Sequence, residues 1–380
     1  MTDSDSTPAY LRRRIELTTS CRDADDLPRA KNAGGFSKHD GHDIQLMHNG
    51  VRVLRGGYYG AWMSEIIERL RGVHEPQEEK AVAAIFSRLA EQNAPTAELV
   101  CVELGSFWAY YSLWFLELFN DGRVVCLEPD PGFMEVGVTN FALNKRTATF
   151  VEGAIGVPAG TETDFVAESD GIARSTKLYT LNSLMAETHL SRIDVLFVDI
   201  QGAEIALLES AQEILQSGAV RFMVVSTHDM SLTKSPLTHR YAERLLRSAG
   251  AHIICEHSVS ESFSADGLIV ASFSEDDKDI RVELSRARAA DSCFGEWEPR
   301  LDEVLTRVAQ LESQLDEARS QSSQAHDLAE AERRRADEAA RTVETLSAQR
   351  ESEAEQLRAM RASLSWRITA LVRWLGRPSR

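Results

Sequence analysis

Two acidic residues close two apolar stretches of the sequence, and their spacing fits a nucleotide site. The first stretch, 100–104, contains Glu103 and is followed by Gly105, and the second, 123–128, ends at Glu128, 25 residues after Glu103. A helical pattern lies between them, which is the order of a βαβ unit with parallel strands. In such units an acid at the tip of the second strand accepts hydrogen bonds from ribose hydroxyls. The spacing therefore predicts an adenosine-type ligand without a 2′-phosphate.

The turn after the first strand has a single glycine. Dinucleotide sites usually carry three glycines, which allow backbone N–H groups to close on a pyrophosphate. Here Gly105 is followed by Ser106, Phe107, Trp108 and Ala109. An adenosine ligand without phosphates, such as S-adenosylmethionine, fits this bulkier turn better than NAD or FAD. A nicotinamide oxidoreductase is disfavoured for the same reason, and a glycine that ends a buried strand without any ligand is the alternative.

Polar residues also follow the fourth and fifth predicted strands, at the edge where ligands bind. Asp199 follows the apolar stretch 195–198, and an acid there is costly unless something pairs with it. His228 is the candidate general base for a hydroxyl proton, because an unperturbed histidine has a pKa of about 6.5. The alternative for His228 is a strand-end histidine that caps backbone carbonyls. A metal held by Asp199, Glu204 and His228 is a further alternative, but we predict no metal site.

Three other groups of residues have structural as well as functional interpretations. Trp108, Tyr110 and Tyr111 can stack on a sugar ring, but aromatic residues on a buried helix are more often core, which we expect for two of the three. The cluster HDGHD at 39–43 is more typical of a solvated loop than of a metal site. The acids of segment 74–79 suit the first turn of a helix that begins with proline.

The composition limits the classes of function. The chain has 380 residues and a formal net charge of −17, which suits one large globular domain with an appendage and argues against nucleic-acid binding. The five cysteines lack CxxC spacing and indicate reduced thiols in a cytoplasmic protein. Because there is no basic-apolar leader and no stretch of about 18 apolar residues, we expect neither secretion nor a membrane span.

Apolar stretches alternate with helical patterns from residue 98 to residue 273. We predict strands at 98–104, 123–127, 147–151, 193–199, 220–226, 251–256 and 268–273, and helices near 58–92, 109–119, 131–143, 203–215 and 237–249. This alternation predicts an α/β fold, a doubly wound, mostly parallel and Rossmann-like seven-stranded sheet covered by helices on both faces. We place this domain at 56–275, after a polar N-terminal extension at 1–55.

The chain changes character after a linker at 276–296. Apolar residues then recur at three- and four-residue spacing from Leu301 to Met360, and glycine is absent. Sustained heptads predict a coiled coil over 297–360, and hence a homo-oligomer. The number of strands in the coil stays open. A long solvated single helix is the alternative, because the middle of the seam contains serine and alanine and buries little apolar area.

The last segment, 361–380, is a basic amphipathic tail. It contains five arginines and no acids. Leu364, Ile368 and Leu371 fall on one helical face, with Trp366 at its boundary. This pattern suits an anionic membrane surface or an acidic protein partner, so we expect a cytoplasmic protein that can be peripheral at the inner face of the membrane. A helical end that packs within the oligomer is the alternative.

Five short motifs carry a resemblance to a known family. They are Glu103-Leu-Gly105, Tyr111-Ser112, Glu128-Pro-Asp130, Asn140 with Leu143-Asn144, and Asp199-Ile-Gln-Gly-Ala-Glu204. With these motifs, residues 56–273 resemble the FkbM-type S-adenosylmethionine-dependent methyltransferases. The last motif is the most specific, and Gln201 stands in it where the family usually has glutamate. The first motif usually begins with aspartate, and Phe107 and Ala109 stand where the family usually has asparagine and a second glycine.

The resemblance implies S-adenosylmethionine as the cofactor and an O-methyltransferase that acts on a hydroxyl of a sugar or a secondary metabolite. Glu103 and Gly105 would border the methionine end, Glu128 would hold the ribose, and the turn at 152–154 would lie against the adenine. Asp199 would lie beside the transferred methyl. The predicted cofactor-binding set is Glu103, Gly105, Ser106, Tyr111, Glu128, Asp130, Gly153, Ala154 and Asp199, and the predicted catalytic residues are Asp199 and His228.

The segment SLSWRIT at 363–369 is similar to a tail found on bacterial glycosyltransferases and other polysaccharide-assembly proteins. This similarity favours an acceptor in surface polysaccharide or a related glycan, and a glycosyltransferase as a partner of the tail. The divergent turn at Phe107 and Ala109 leaves one alternative function open. It is a catalytically inactive, methyltransferase-like head of a coiled-coil scaffold in glycan assembly.

Overall fold

A computed structural model of the chain describes residues 8–92, 98–287 and 297–369. The chain divides into two compact units, one that ends at Asp302 and one that begins at Glu303. The described strands all lie in the first unit, and the second is helical. No helix in these described ranges has both the length and the apolar character needed to cross a bilayer.

The strands and helices follow in chain order. The strands are β1 (Phe36–His39), β2 (His42–Leu46), β3 (Arg52–Leu54), β4 (Val100–Leu104), β5 (Arg123–Glu128), β6 (Thr149–Glu152), β7 (Ala154–Ile155), β8 (Glu162–Val166), β9 (Ala173–Tyr179), β10 (Ile193–Val198), β11 (Val220–Thr227), β12 (His252–His257) and β13 (Gly267–Ser272). The helices are α1 (Ala9–Ser20), α2 (Ala61–Arg69), α3 (Pro76–Gln92), α4 (Tyr110–Leu118), α5 (Pro131–Leu143), α6 (Leu181–Glu187), α7 (Glu204–Ser210), α8 (Gln212–Gln216), α9 (Met230–Thr233), α10 (Thr238–Ser248), α11 (Trp297–Ala362) and α12 (Leu364–Ile368).

Seven strands form the central sheet, in the order β12-β13-β11-β10-β4-β5-β6. The strands from β11 to β6 are parallel, and β13 is antiparallel to both of its neighbours. Every residue of β4 and β10 is buried, because separate apolar cores cover the two faces of the sheet. The predicted fold class is confirmed. The carboxyl ends of β4, β5, β10 and β11 lie at one edge.

Two predicted helices are each divided in the structure. The helical region at 58–92 forms α2 and α3, which are separated by a turn at Gly72. That glycine has a φ of +92°, and a Cβ placed on it would lie 2.3 Å from the His48 backbone nitrogen. The region at 203–215 is divided at Ala211 into α7 and α8. Glycine is therefore required at the first division by close backbone packing.

The N-terminal segment, predicted as a polar extension, forms α1 and a three-stranded sheet, β1-β2-β3. It shares the apolar core of the first unit through buried residues such as Ile15 and Val53. Asn140 and Asn144 on α5 fix β3 in place, because their Oδ1 atoms accept hydrogen bonds from the backbone nitrogens of Leu54 and Arg52, at 2.8 and 2.9 Å. These two asparagines belong to the motifs that carry the family resemblance.

The HDGHD cluster at 39–43 is the tip of the β1–β2 hairpin. His39 pairs with His42 across the turn, and the two residues between them, Asp40 and Gly41, have φ values of +47° and +85°. Positive φ at both central residues is the geometry of a two-residue type I′ turn, which favours Asp-Gly. Hairpin formation thus accounts for this sequence without a metal.

A small sheet, β7-β9-β8, lies beside the central sheet and was not predicted. Most residues of β8 are exposed, so the sequence there has little of the apolar alternation that indicates a strand.

The second unit consists of the long helix α11 and the short helix α12. Among its described side chains, the predicted seam residues Val304, Val308, Leu311 and Leu315 have exposed fractions of 58%, 43%, 47% and 51%. A single copy of the chain therefore leaves an apolar stripe of α11 in solvent. The tail beyond residue 369 lies outside the described residues.

Candidate active site

A cleft of about 510 Å³ opens at the carboxyl ends of β4, β5 and β10. This is the edge of a parallel sheet where ligands bind, and the volume is in the range of small-molecule sites. All of the predicted cofactor-binding residues line the cleft: Glu103, Gly105, Ser106, Tyr111, Glu128, Asp130, Gly153, Ala154 and Asp199. The structure therefore brings together residues from five separate segments of the sequence.

Gly105 allows the turn after β4 to approach the end of β10. Its φ is +74°, and a Cβ at this position would lie 1.8 Å from the backbone oxygen of Asp199. The Gly105 nitrogen donates to the Leu127 oxygen at 2.9 Å. No other residue fits this position without moving one of the two strands.

Phe107 and Ala109 explain how the turn keeps its shape without further glycines. Both have positive φ values, +38° and +55°, in the left-handed region that favours glycine and asparagine. These are the two positions at which the resembled family usually has asparagine and glycine. Phe107 stacks on Phe133 with 3.6 Å between ring centroids, and Ala109 is completely buried. Packing therefore offsets a backbone cost of about 1 kcal/mol per residue.

Glu128 and Glu103 organise the backbone around the cleft. Glu128 accepts hydrogen bonds from the nitrogens of Phe107 and Asp130, both at 2.9 Å, and Glu103 accepts one from the Ser112 nitrogen at 3.0 Å. Burial raises the pKa of Glu128 to about 7 and that of Glu103 to about 8. Both acids are therefore partly protonated near neutral pH until a ligand compensates for the lost solvation.

Asp130 lies on the cleft wall, but its carboxylate is used by the protein. Its Oδ1 accepts hydrogen bonds from the nitrogens of Gly132 and Phe133, at 2.9 and 3.3 Å, and so caps α5. Its Oδ2 accepts from the Ser169 nitrogen at 2.9 Å. Asp130 thereby fixes the start of α5 and the loop that follows β8.

The residues present fit a cationic adenosine cofactor. Ser106 Oγ is buried on the cleft wall and makes no hydrogen bond to another described residue. The described lining contains several acids, and neither lysine nor arginine occurs in it. S-adenosylmethionine carries a sulfonium and an ammonium group, so the charge of the cleft suits it. A pyrophosphate, in contrast, would find neither lysine nor arginine among these residues, and the lining histidine, His74, already contacts Glu79.

His228 contacts two acids at the end of β10, through a hydrogen bond to Glu204 and an ion pair with Asp199. His228 Nε2 lies 3.1 Å from Asp199 Oδ1, and Nδ1 lies 2.7 Å from Glu204 Oε1. Glu204 also accepts a hydrogen bond from the Gly202 nitrogen at 3.0 Å, which folds the specific 199–204 motif back on itself. Burial would lower the pKa of His228, but the hydrogen bonds to Asp199 and Glu204 outweigh it and raise the pKa to about 11.

The contacts of His228 with Asp199 and Glu204 affect both of its predicted roles, general base and metal ligand. A histidine that donates from both nitrogens is protonated and has no lone pair for a hydroxyl proton. To act as the predicted general base, it would first have to lose a proton. The structure also places a carboxylate on each side of the ring, so the three residues do not face a common point. No cluster in the described ranges has the composition and geometry of a metal site.

The segment at 74–79 contributes more than the predicted first turn of a helix. Pro76 does begin α3, but Glu75 and Glu78 line the cleft. Glu79 is completely buried. Its Oε1 lies 2.6 Å from His74 Nδ1, and its Oε2 lies 3.1 Å from His48 Nε2. Burial would raise the pKa of Glu79, but these histidines lower it to about 2.

Aromatic residues form one wall of the cleft. Trp108 lies parallel to Tyr58 with 4.3 Å between ring centroids, and Tyr111 stacks on Phe197 at 4.9 Å. Both Trp108 and Tyr111 line the cleft, whereas Tyr110 is fully buried away from it. All three are buried, but two of them, rather than one, can also contact a ligand.

Several cleft residues were missed in the sequence: Tyr58, Tyr59, Glu75, Glu78, Phe165 and Glu168. Glu75 and Glu78 lie in the polar stretch 74–80, whose acids equally suit an exposed first turn of a helix, so the sequence carries no signal of their burial in the cleft. The other residues lie in segments whose contact with the cleft arises only from tertiary packing.

The comparisons with known proteins agree with this geometry. Residues 91–287 match the sequence family described as the methyltransferase FkbM domain. A search of curated proteins gives no significant match.

Solved structures of methyltransferases resemble the chain only distantly. A precorrin-6y C5,15-methyltransferase from Geobacter metallireducens GS-15 has 17% identity and a TM-score of 0.33, over 51% of this chain and 88% of its own. The N-terminal domain of human METTL16, solved with SAH, has 11% identity and a TM-score of 0.35, over 72% and 97%. The bifunctional kinase-methyltransferase WbdD has 11% identity and a TM-score of 0.34, over 50% and 38%.

Proposed function

We propose that this chain, which belongs to the FkbM methyltransferase family, methylates a sugar hydroxyl in surface polysaccharide or a related glycan. Membership of this family makes the chain an S-adenosylmethionine-dependent methyltransferase. The acceptor is the proposed part. It follows from the polar groups that the cleft presents, the aromatic wall, and the similarity of segment 363–369 to tails of polysaccharide-assembly proteins.

The position of Asp199 carries the proposal that the acceptor is a hydroxyl. When bound, S-adenosylmethionine supplies a methyl group on a positively charged sulfur. A hydroxyl oxygen must then be aligned with that methyl and must lose its proton. Asp199 lines the cleft with 48% of its side chain exposed, so its carboxylate can reach an acceptor. We assign the removal of the proton to Asp199.

His228 has a positioning role in this proposal instead of the predicted role of general base. Its ion pair holds the Asp199 carboxylate, and buried Glu204 holds the opposite side of the ring. Glu204 and His228 lie on α7 and directly after β11. Asp199 is therefore oriented by elements outside its own loop, which limits its loss of side-chain entropy when an acceptor binds.

The proposed cofactor contacts follow the cleft from one end to the other. Gly105 and Ser106 border the methionine group, and Glu128 accepts hydrogen bonds from the ribose. Gly153 and Ala154 lie against the adenine. Glycine is needed at Gly153 because a Cβ there would lie 2.5 Å from the Tyr179 ring, so the backbone of this turn packs closely on that ring where it lines the cleft.

The aromatic residues of the cleft support a sugar as the acceptor. Tyr58, Tyr59 and Trp108 line the cleft, and aromatic rings can pack against the apolar C–H faces of sugars while polar tips reach hydroxyls. Tyr59 is 38% exposed, and its hydroxyl accepts a hydrogen bond from Gln201 Nε2 at 3.2 Å. Gln201, which replaces the usual glutamate of the motif, is thus engaged at the rim.

The test is a methyl-transfer assay with labelled S-adenosylmethionine. Nucleotide sugars, lipid-linked glycans and purified polysaccharide from the host are offered as separate acceptors, and the methylated position is read by mass spectrometry. Transfer to a glycan hydroxyl that is lost in Asp199→Asn supports the proposal. Transfer only to a small molecule without sugar, or to nitrogen or carbon atoms, contradicts it.

We also propose that α11 joins copies of the chain. Its exposed apolar stripe matches the predicted heptads, and burial of such side chains against a second helix contributes about 25 cal/mol per Å². Sedimentation of the full chain and of a chain that ends at residue 290 compares their particle masses and tests this proposal independently of methyl transfer.

A further inference from the structure

Glu75 and Glu78 form a pair of acids on the cleft wall that the reaction described so far does not use. They stand at the start of α3, where Glu78 is 8% exposed and the Glu75 side chain 14%. The two carboxyl groups are close enough to hydrogen-bond to each other, with Asp199 and Tyr111 nearby. Two carboxylates in such a place cannot both be charged unless a cation joins them.

The protein itself supplies little positive charge to this pair. Among the described residues, the only cationic group within ion-pair distance is His74, whose Nε2 lies 3.7 Å from Glu75 Oε2. That histidine is already bound through Nδ1 to Glu79. Glu78 has only a long contact, 3.5 Å, from Ser226 Oγ. Glu79 and Asp199 are in contrast each matched by a histidine.

Two further observations indicate that a ligand completes this part of the cleft. Ser106 Oγ, in a residue that is 1% exposed, lines the same cleft and has no hydrogen-bond partner among the described residues. Gly105 also packs against the backbone of Asp199, and the charge of Asp199 acts on the Glu78 carboxyl group. The acid pair therefore lies beside the turn that is assigned to the methionine end of the cofactor.

We propose that Glu78, together with Glu75, binds the ammonium group of the methionine part of S-adenosylmethionine. An ammonium has three N–H donors and can bridge two carboxyl groups. The sulfonium sulfur has no N–H donor, and the adenosine part has no positive charge. The inference rests on the cleft being the cofactor site, and it concerns cofactor binding alone. It makes no use of the acceptor.

The test compares two ligands that differ in the amino-acid group. S-adenosylhomocysteine carries the ammonium, whereas 5′-methylthioadenosine keeps the adenosine and the sulfur without it. Calorimetry on the full chain should show that Glu78→Gln lowers the affinity for S-adenosylhomocysteine about 10–100-fold, the usual range for a hydrogen bond to a charged group. Binding of 5′-methylthioadenosine should change less than about twofold. Equal effects on both ligands, or no effect on either, would overturn the proposal.

Glu91→Gln is the matched control, because it makes the same substitution on the same helix at an exposed position. It should leave both affinities unchanged. Thermal denaturation shows whether Glu78→Gln remains folded.

A measurement on the wild-type chain covers the case in which the variant does not fold. Binding enthalpies in two buffers with different ionisation enthalpies give the number of protons released. S-adenosylhomocysteine should release more protons near pH 7 than 5′-methylthioadenosine, because only the former carries the ammonium that ionises Glu78, whereas both ligands carry the ribose that acts on Glu128. Identical proton release would overturn the inference. A failure to methylate any glycan would leave these binding results unaffected, whereas wild-type protein that binds neither ligand would overturn the cofactor site itself.

Discussion

His228 Nε2 lies 3.1 Å from Asp199 Oδ1, within ion-pair distance. The histidine is 6% exposed, while the Asp199 side chain is 48% exposed to the cleft. The pair thus joins a buried cation to an accessible carboxylate. A reacting hydroxyl meets only the carboxylate, and the histidine determines where that carboxylate points.

Replacement of Asp199 by asparagine should lower kcat far more than it lowers cofactor affinity. Asparagine keeps an oxygen for His228 Nε2 but cannot accept a proton, so the loss should be about 10²–10⁴-fold, the usual contribution of general-base catalysis. Single-turnover kinetics and calorimetry measure the two quantities. Asp327→Asn, at an exposed position of α11, is the control. Wild-type turnover in Asp199→Asn would place the proton acceptor elsewhere.

The parts of this site that were predictable are those with local signals. Glu103, Gly105 and Glu128 each follow from an apolar stretch and the residue that ends it, because buried strands leave a continuous record in the sequence. No apolar stretch of the sequence ends at Glu78, so its burial cannot be predicted in this way. It reaches the cleft because α3 packs over the ends of strands that come later in the chain.

The role of His228 also depends on tertiary contacts. Its chemistry is set by Glu204, 24 residues earlier, and this pairing exists only because the 199–204 loop folds back to the end of β11. A residue type predicts an unperturbed pKa, whereas its partners determine the actual one. The same limit applies to β8, whose exposed and polar residues carry no periodic signal.

The imidazole of His228 should stabilise the fold in a pH-dependent way. Its folded-state pKa of about 11 lies above the unfolded value near 6.5. The stabilisation is therefore complete below about pH 6.5 and is lost as the pH rises towards 11. Urea denaturation of wild type and His228→Gln should show a difference in unfolding free energy that shrinks between pH 7 and pH 10.

Asp199, Glu204 and Asp266 all contribute to this pKa, so the comparison must be between variants at each pH. His42→Gln, at an exposed position of β2, should change the unfolding free energy by less than about 0.5 kcal/mol throughout. A difference that is independent of pH would show that His228 is not held in its protonated form. Nitrogen NMR of the ring gives the same answer directly.

The affinity for S-adenosylhomocysteine should rise with pH between about 6 and 8. Burial, followed by the charge of Asp199, raises the pKa of Glu78 to about 8, and the ammonium requires the carboxylate form. The rise is at most tenfold per pH unit and levels off near 8, where Glu78 loses its proton in the free protein as well.

Other ionisable side chains lie near Glu78, namely His74, Glu75, Glu103, Tyr111, Asp199 and Asp266. The decisive quantity is therefore the difference in pH dependence between wild type and Glu78→Gln, measured by calorimetry. Glu78→Gln should flatten the profile. Parallel profiles for the two proteins would assign the titration to another acid.

Truncation after residue 290 should leave a folded monomer with unchanged cofactor affinity. The full chain should sediment as an oligomer, because one copy exposes the apolar stripe of α11. Leu311→Glu places a charge in the seam and should shift the chain towards monomer. Ser313→Glu, on the outward side of the same heptad, should not. Equal particle mass for the full and truncated chains would show that α11 is a single solvated helix.

The tail at 361–380 should bind anionic membranes reversibly. Its five arginines contribute about 1 kcal/mol each near an anionic surface, and salt screens this attraction within about 8 Å. Two or more tails joined by α11 would raise the effective concentration of the second contact and prolong retention. Flotation should therefore recover the full chain with anionic vesicles and not with neutral ones.

Three controls separate the membrane from a protein partner. A chain that ends at Met360 tests the whole tail, a Trp366→Ala, Trp374→Ala double variant tests the aromatic boundary, and the Leu311→Glu monomer tests the gain from joined copies. Each variant should be recovered with anionic vesicles to a smaller extent than the full chain. Higher salt should lower the recovery of every protein that binds. If the full chain stays in solution with anionic vesicles at low salt, the membrane contact is wrong. The tail would then serve the oligomer or a partner protein in glycan assembly.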